Sequence, residues 1–202
     1  MGKIFFIAGK SSSGKDTIYR KILEEANLRL ETLVPYTTRP IRDGEENGRE
    51  YFFTDEAALN RLRSQGKIIE ERMYSTYYGP WYYFTVDDGQ LDLEAKDYLL
   101  IGTLESYRAV KRFVGKEKIA PIYIEVDDGE RLQRALDRER SQENPRYEEM
   151  CRRFLADSAD FSEEKIAEAG IERRFYNGEL KTCLKEVMDY IRQEQAGDGS
   201  RK

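Results

Sequence analysis

The sequence predicts an α/β fold in which a parallel sheet is covered by helices on both faces. Three observations carry that prediction. The apolar run Lys3-Ile4-Phe5-Phe6-Ile7-Ala8 ends in a glycine-bounded loop and continues into helical spacing. Two more apolar runs, Tyr98-Leu99-Leu100-Ile101-Gly102 and Pro121-Ile122-Tyr123-Ile124-Glu125-Val126, flank a helical pattern over 105–113. Strands that alternate with helices in this way favour parallel pairing. The 202 residues are long enough for one domain with a sizeable core.

The elements follow in order. Residues 3–8 read as a strand, 9–14 as a loop and 15–26 as a helix, with Ile18, Ile22, Leu23 and Ala26 on its buried side. Residues 34–54 are rich in Thr, Arg, Gly and Tyr and hold a turn signal over 42–48. Tyr51-Phe52-Phe53 reads as a short strand. Thr54 is placed to cap a helix over 55–65. Residues 67–70 and 74–84 suggest two further strands of a small sheet. From Asp127 to about Ala167 the chain is helical and crowded with charge. The last helix, over 179–194, carries Leu180, Leu184, Val187, Met188 and Ile191 on one side. Two insertions thus interrupt the core, a small mixed α/β segment near 34–84 and a helical one near 127–165. The tail, 196–202, is expected to fray.

Composition excludes several classes. Charged residues make up 36% of the chain and the formal net charge is −5, against binding nucleic acid through the whole surface. There is no His, so imidazole triads, His metal sites and imidazole proton shuttles are absent. Cys151 and Cys183 lie far apart without metal-ligand spacing and read as reduced thiols of a cytoplasmic protein. No apolar stretch approaches a membrane span, so no membrane partner is expected. The sequence does not decide between a monomer and a homodimer.

The most informative motif is Gly9-Lys10-Ser11-Ser12-Ser13-Gly14-Lys15-Asp16-Thr17. Its glycines let the backbone curl so that the N–H groups of Ser11, Ser12, Ser13 and Gly14 point at phosphate oxygens. Lys15 adds charge, and the following helix adds its N-terminal dipole. These are the parts of a P-loop, which holds a nucleoside triphosphate. The pattern departs at one place. Asp16 stands where Ser or Thr ordinarily ligates Mg²⁺, and Thr17 follows. Asp16 and Thr17 are therefore the candidate Mg²⁺ ligands, since that ion takes oxygen donors and retains waters.

A second constellation is Thr37-Thr38-Arg39-Pro40-Ile41-Arg42-Asp43-Gly44-Glu45-Glu46-Asn47-Gly48-Arg49-Glu50-Tyr51. It closely resembles the acceptor-binding motif of guanylate kinases, and Ile69-Glu70 with Tyr77-Tyr78-Gly79 resembles the next block of that family. With the P-loop these segments cover most of the first 80 residues in the family's order. The resemblance implies a P-loop nucleotide-kinase fold, ATP and Mg²⁺ as cofactors, and phosphorylation of a nucleoside monophosphate, with GMP the first choice of acceptor. It implies that Thr38, Arg39, Arg42, Tyr51 and Tyr78 hold the acceptor. Glu70 would accept from the two adjacent guanine N–H groups, with Glu71 its rival on the opposite strand face.

The later half resembles the family less closely. Arg134-Ala135-Leu136-Asp137-Arg138 and Arg152-Arg153-Phe154 look like lid segments, which would bring Arg138 and Arg153 to the transferring phosphoryl group. Tyr176-Asn177-Gly178 resembles the adenine-binding turn, with Asn177 at the adenine edge; a helix start is the other reading of these residues. Three positions depart from the family: Pro35, Pro80, and Ile101-Gly102-Thr103 in place of an Asp-x-Asp pair. Thr103 or Glu105 is the candidate for the missing polar contact. Two other readings stay open, a kinase for a different nucleotide and a non-catalytic guanylate-kinase-like module that binds a phosphorylated protein.

Overall fold

The computed structural model describes residues 1–42, 44–76 and 79–197. Strand β1 (Ile4–Ala8) runs through the glycine loop into α1 (Lys15–Leu23), and β2 (Leu30–Glu31) follows. A small sheet then forms from β3 (Tyr36–Thr37), β4 (Phe52–Phe53), β5 (Ile68–Thr76) and β6 (Gly79–Val86), with α2 (Glu56–Ser64) between β4 and β5. The chain returns to the first sheet in β7 (Asp97–Gly102), α3 (Leu104–Val114) and β8 (Ile119–Glu125). Three helices come next, α4 (Asp128–Arg140), α5 (Tyr147–Asp160) and α6 (Glu163–Glu168). Strand β9 (Arg174–Tyr176) and α7 (Leu180–Gly197) complete the order.

The first sheet is parallel throughout, in the order β2-β7-β1-β8-β9. Every residue of β1 is buried, as a strand covered on both faces requires. Alternation then assigns the two faces. Ile4 and Phe6 pack with Leu104, Tyr107 and Val110 of α3. Phe5 and Ile7 pack with Ile18 and Ile22 of α1 and with Val187 and Ile191 of α7. Fully burying each such side chain contributes about 1.5–3 kcal/mol. The second sheet has the order β4-β3-β6-β5 and its own core of Leu59, Phe84 and Val86.

Several local expectations are corrected. The first helix ends at Leu23 rather than 26, because Ala26–Leu28 tightens into a 3₁₀ turn and Arg29 adopts φ 48° to turn the chain toward β2. Asp55, not Thr54, caps α2. Its carboxylate accepts from the Ala58 N–H at 2.7 Å, whereas the Thr54 N–H donates to the Thr37 carbonyl. The strands expected over 67–70 and 74–84 are one long strand, β5, and its antiparallel partner β6, with a register shift between Ile68 and Glu70. The charged segment after Asp127 is three helices, with Pro145 in the break between α4 and α5.

Candidate functional site

The glycine loop lies at the C-terminal end of β1, where ligands of open parallel sheets bind. Both loop glycines are demanded by close approach. A Cβ on Gly9 would sit 2.5 Å from the Ile124 carbonyl oxygen, and one on Gly14 would sit 2.2 Å from the Asn177 amide nitrogen. Gly14 also holds φ 88°, which L side chains avoid. Asn177 is 3% exposed and its amide donates to the Ser13 carbonyl at 2.7 Å, so it braces the loop from behind. Arg134 braces Asn177 in turn, donating to its carbonyl at 2.8 Å. The Ser12 and Ser13 hydroxyls are buried without a partner among the described residues. Lys15 opens α1 with its ammonium 3.1 Å from the exposed Asp16 carboxylate, and Thr17 follows on the first turn.

Helices α4 and α5 close over this loop. Arg138 and Arg153 line one small cavity with Ser11 and Ser12, so the structure brings both lid arginines to the cradle. A third, Arg131, went unnoticed in the sequence. It is 1% exposed, lies 3.8 Å from the Phe154 ring centroid, and pairs with Asp128 at 2.9 Å and with Asp157 at 3.5 Å. Asp157 accepts the Ser11 N–H at 2.7 Å. A lid carboxylate thus occupies one of the loop amides that would otherwise face phosphate. Burial works against ionisation of Asp128, but hydrogen bonds from Arg131 and Lys10 outweigh it and hold its carboxyl below the usual range.

The second sheet builds an anion site around Arg39. This side chain is 4% exposed and lies 5.1 Å and 5.2 Å from the Tyr51 and Phe53 ring centroids. It donates to both Glu45 carboxylate oxygens, at 2.7 and 2.6 Å, and the Arg42 N–H adds a third bond at 2.8 Å. The Arg39 hydrogen bonds hold the Glu45 carboxyl down at about 2. A carboxylate so gripped presents the same paired oxygens as a phosphate, so this is the geometry of an anion clamp. Burial pushes the Tyr51 hydroxyl above its ordinary value. Thr38 is committed to the sheet, because its hydroxyl accepts the Tyr82 N–H at 3.0 Å.

Beside this clamp is a cleft of about 450 Å³, within the size range of small-ligand pockets. Glu70 forms part of its wall, 6% exposed, accepting from Thr85 at 3.0 Å and from Arg72 at 3.1 and 3.4 Å. Tyr51, Pro35 and Ile101 share the cleft. Glu71 points the other way and pairs with Arg63, as strand alternation requires. Thr103 does not reach the cleft. Its hydroxyl caps α3, accepting the Ser106 N–H at 3.2 Å, and it lines a neighbouring hollow with Glu105 and Arg108. Gly102 cannot accept a side chain without repacking, since a Cβ there would lie 2.8 Å from the Phe6 ring. Tyr78 lies outside the described residues.

A triphosphate cradle, an arginine-bearing lid and a second anion clamp beside a polar cleft define a P-loop nucleoside monophosphate kinase. Comparison with known proteins names the family. The family model for guanylate kinase matches residues 1–194, and the chain belongs to that family. Guanylate kinase of Porphyromonas gingivalis is 25% identical over 196 residues, covering 96% of this chain and 98% of that protein. Guanylate kinase of Oleidesulfovibrio alaskensis is 42% identical over 79 residues, covering 39% of this chain and 38% of that protein. The crystal structure of guanylate kinase from Anaplasma phagocytophilum superposes with a TM-score of 0.64 at 21% identity, over 96% of this chain and 86% of that one.

Proposed function

We propose that this chain transfers the γ-phosphoryl group of ATP to GMP, yielding ADP and GDP. The observation that carries the reading is the buried Glu70 carboxylate in a cleft shared with Tyr51, whose ring lies beside Arg39. Guanine offers N1–H and N2–H side by side, and a carboxylate accepts both. The acceptor's phosphate takes the place of the Glu45 carboxylate on Arg39, with Arg42, Tyr51 and Tyr78 as further donors. Each bond to a charged partner contributes roughly 1.5–3 kcal/mol.

The loop amides from Ser11 to Gly14 and Lys15 hold the ATP phosphates, and Asn177 supports the loop that does so. Arg138 and Arg153 stabilise charge spread over the transferring group while the lid excludes water. The acceptor phosphate is already anionic, so no protein base is required. Mg²⁺ neutralises phosphate charge when bound. The exposed Asp16 and the adjacent Thr17 suit it, because Mg²⁺ takes one or two protein oxygens and completes its shell with phosphates and water. No cage of three or more acidic, His or Cys groups exists among the described residues. We place this reaction in the cytoplasm, among the nucleotides it consumes; no described helix is long and apolar enough to cross a membrane.

The test is ADP formation by the purified protein with Mg-ATP and a panel of GMP, IMP, AMP, UMP and CMP. Turnover that depends on GMP is expected. Turnover with another base alone overturns the acceptor assignment. ATP binding without turnover on any acceptor returns the phosphoprotein-binding alternative, which the intact cradle at Gly9, Gly14 and Lys15 otherwise disfavours.

A further inference from the structure

The cleft that holds Glu70 also contains Arg72, a charged side chain with no assigned role. Glu70 and Arg72 stand two residues apart on β5 and so share one strand face. Arg72 donates to Glu70 through Nε at 3.1 Å and one terminal nitrogen at 3.4 Å. A guanidinium has five N–H donors, so three lie outside this pair. Tyr19, Thr32, Arg49, Tyr51 and Ser106 also line the cleft with polar side chains, but several of its lining residues offer no side-chain donor. Pro35 lacks an N–H, and Leu33, Leu100 and Ile101 are apolar.

We infer that Arg72 is a specificity-determining residue that reads the 6-oxo group of the acceptor base. The inference rests on the guanine reading given above. Glu70 and Arg72 together present an acceptor pair beside a donor pair. The guanine edge is the complement: N2–H and N1–H donate, and O6 accepts. Arginine is well matched to guanine O6 by its planar donor fork. Adenine reverses the pattern. Its 6-amino group would face the guanidinium donor against donor, and its N1 would face the carboxylate acceptor against acceptor. Both mismatches leave buried polar groups unpaired, a strong basis for rejection. Arg72 thus supplies a donor at position 6 of the base, next to the Glu70 acceptor.

The test measures kcat/KM with GMP, IMP and 6-thio-GMP for the wild type, Arg72→Met and Glu70→Gln. IMP lacks only the 2-amino group, and 6-thio-GMP replaces O6 with a poor acceptor. The wild type is expected to prefer GMP over 6-thio-GMP by about tenfold or more. Arg72→Met should lower kcat/KM for GMP by about 10- to 100-fold, bring the GMP to 6-thio-GMP ratio near one, and leave the GMP to IMP ratio unchanged. Glu70→Gln should do the reverse, collapsing the GMP to IMP ratio. A role confined to holding Glu70 in place would lower both ratios together in Arg72→Met, and that result overturns the inference. So does a GMP to 6-thio-GMP ratio equal to the wild type's. If Arg72→Met does not fold, Arg72→Leu, which likewise has no donor, should also bring the GMP to 6-thio-GMP ratio near one, and a wild-type ratio there overturns the inference equally. Failure of the guanine reading itself shows separately, as absence of wild-type turnover on GMP.

Discussion

Lys15 and Glu45 illustrate how much single side chains decide here. Lys15 is the cation that opens α1 beside the cradle, so Lys15→Ala should lower turnover by about 10²–10³-fold, as removal of a preorganised charge donor does. Steady-state ADP formation at saturating ATP measures this, and a variant as active as the wild type would strike Lys15 from the machinery. Glu45 is held at about 2, mainly by its hydrogen bonds from Arg39, against an ordinary value of 4.5. A depressed carboxylate contributes stability above its unfolded value and loses it as pH falls through the folded one. The stability difference between wild type and Glu45→Gln should therefore be constant above about pH 4.5 and shrink toward pH 2. Chemical denaturation across that range reads it; a difference that stays flat down to pH 2 contradicts the ion pair. Arg39, Arg42 and Tyr51 fall in one ordered motif, and the structure brings Arg39 and Tyr51 together with Arg42 contributing its backbone N–H to the same Glu45. Arg72 beside Glu70 and the buried Arg131 do not stand out in the sequence, since one long charged strand or helix offers many arginines and only tertiary packing distinguishes them.

Elements differ in how openly the sequence announces them. The run from β1 through the loop into α1 was legible because five buried residues, two glycines and a helical apolar spacing agree. Strands β2, β3 and β9 span only two or three residues, too few for a period-2 pattern to register. Thr54 and Asp55 are both good capping types, so the sequence alone does not separate them; α2 starts at Glu56, which puts Asp55 at the capping position with its carboxylate on the Ala58 N–H. Asp55→Ala should cost about 1 kcal/mol, within the usual capping range, read as a lower midpoint in urea without loss of activity. The loop itself is less forgiving. Gly14→Ala adds strain at φ 88° and drives a methyl into the Asn177 amide that braces Ser13. Loss of ATP affinity with the fold retained is the expected result, seen by calorimetry alongside circular dichroism. Undiminished ATP binding would mean that the Gly14–Asn177 contact does not shape the cradle.

At the scale of the whole molecule the glycine loop leaves the first sheet and the Arg39 clamp stands beside the second, while α4 and α5 cover the loop. The lid does not reach the cradle through arginines alone. Asp157 of α5 takes the Ser11 N–H at 2.7 Å, and the buried Arg131 of α4 steadies Asp157 at 3.5 Å. A negative charge therefore stands on the loop amide, and under the proposed function ATP displaces it before that amide can turn to phosphate. Asp157→Asn keeps the shape and one acceptor oxygen but removes the charge that repels the incoming nucleotide. Titration of ATP into this variant should show a lower Kd than the wild type by about three- to tenfold, the scale of a single partly screened charge near a binding site. The gain should shrink at high salt, where the lost repulsion is already screened. Equal affinities at low salt would show that Asp157 leaves the loop before nucleotide arrives, and that its bond to Ser11 only supports the lid's resting position.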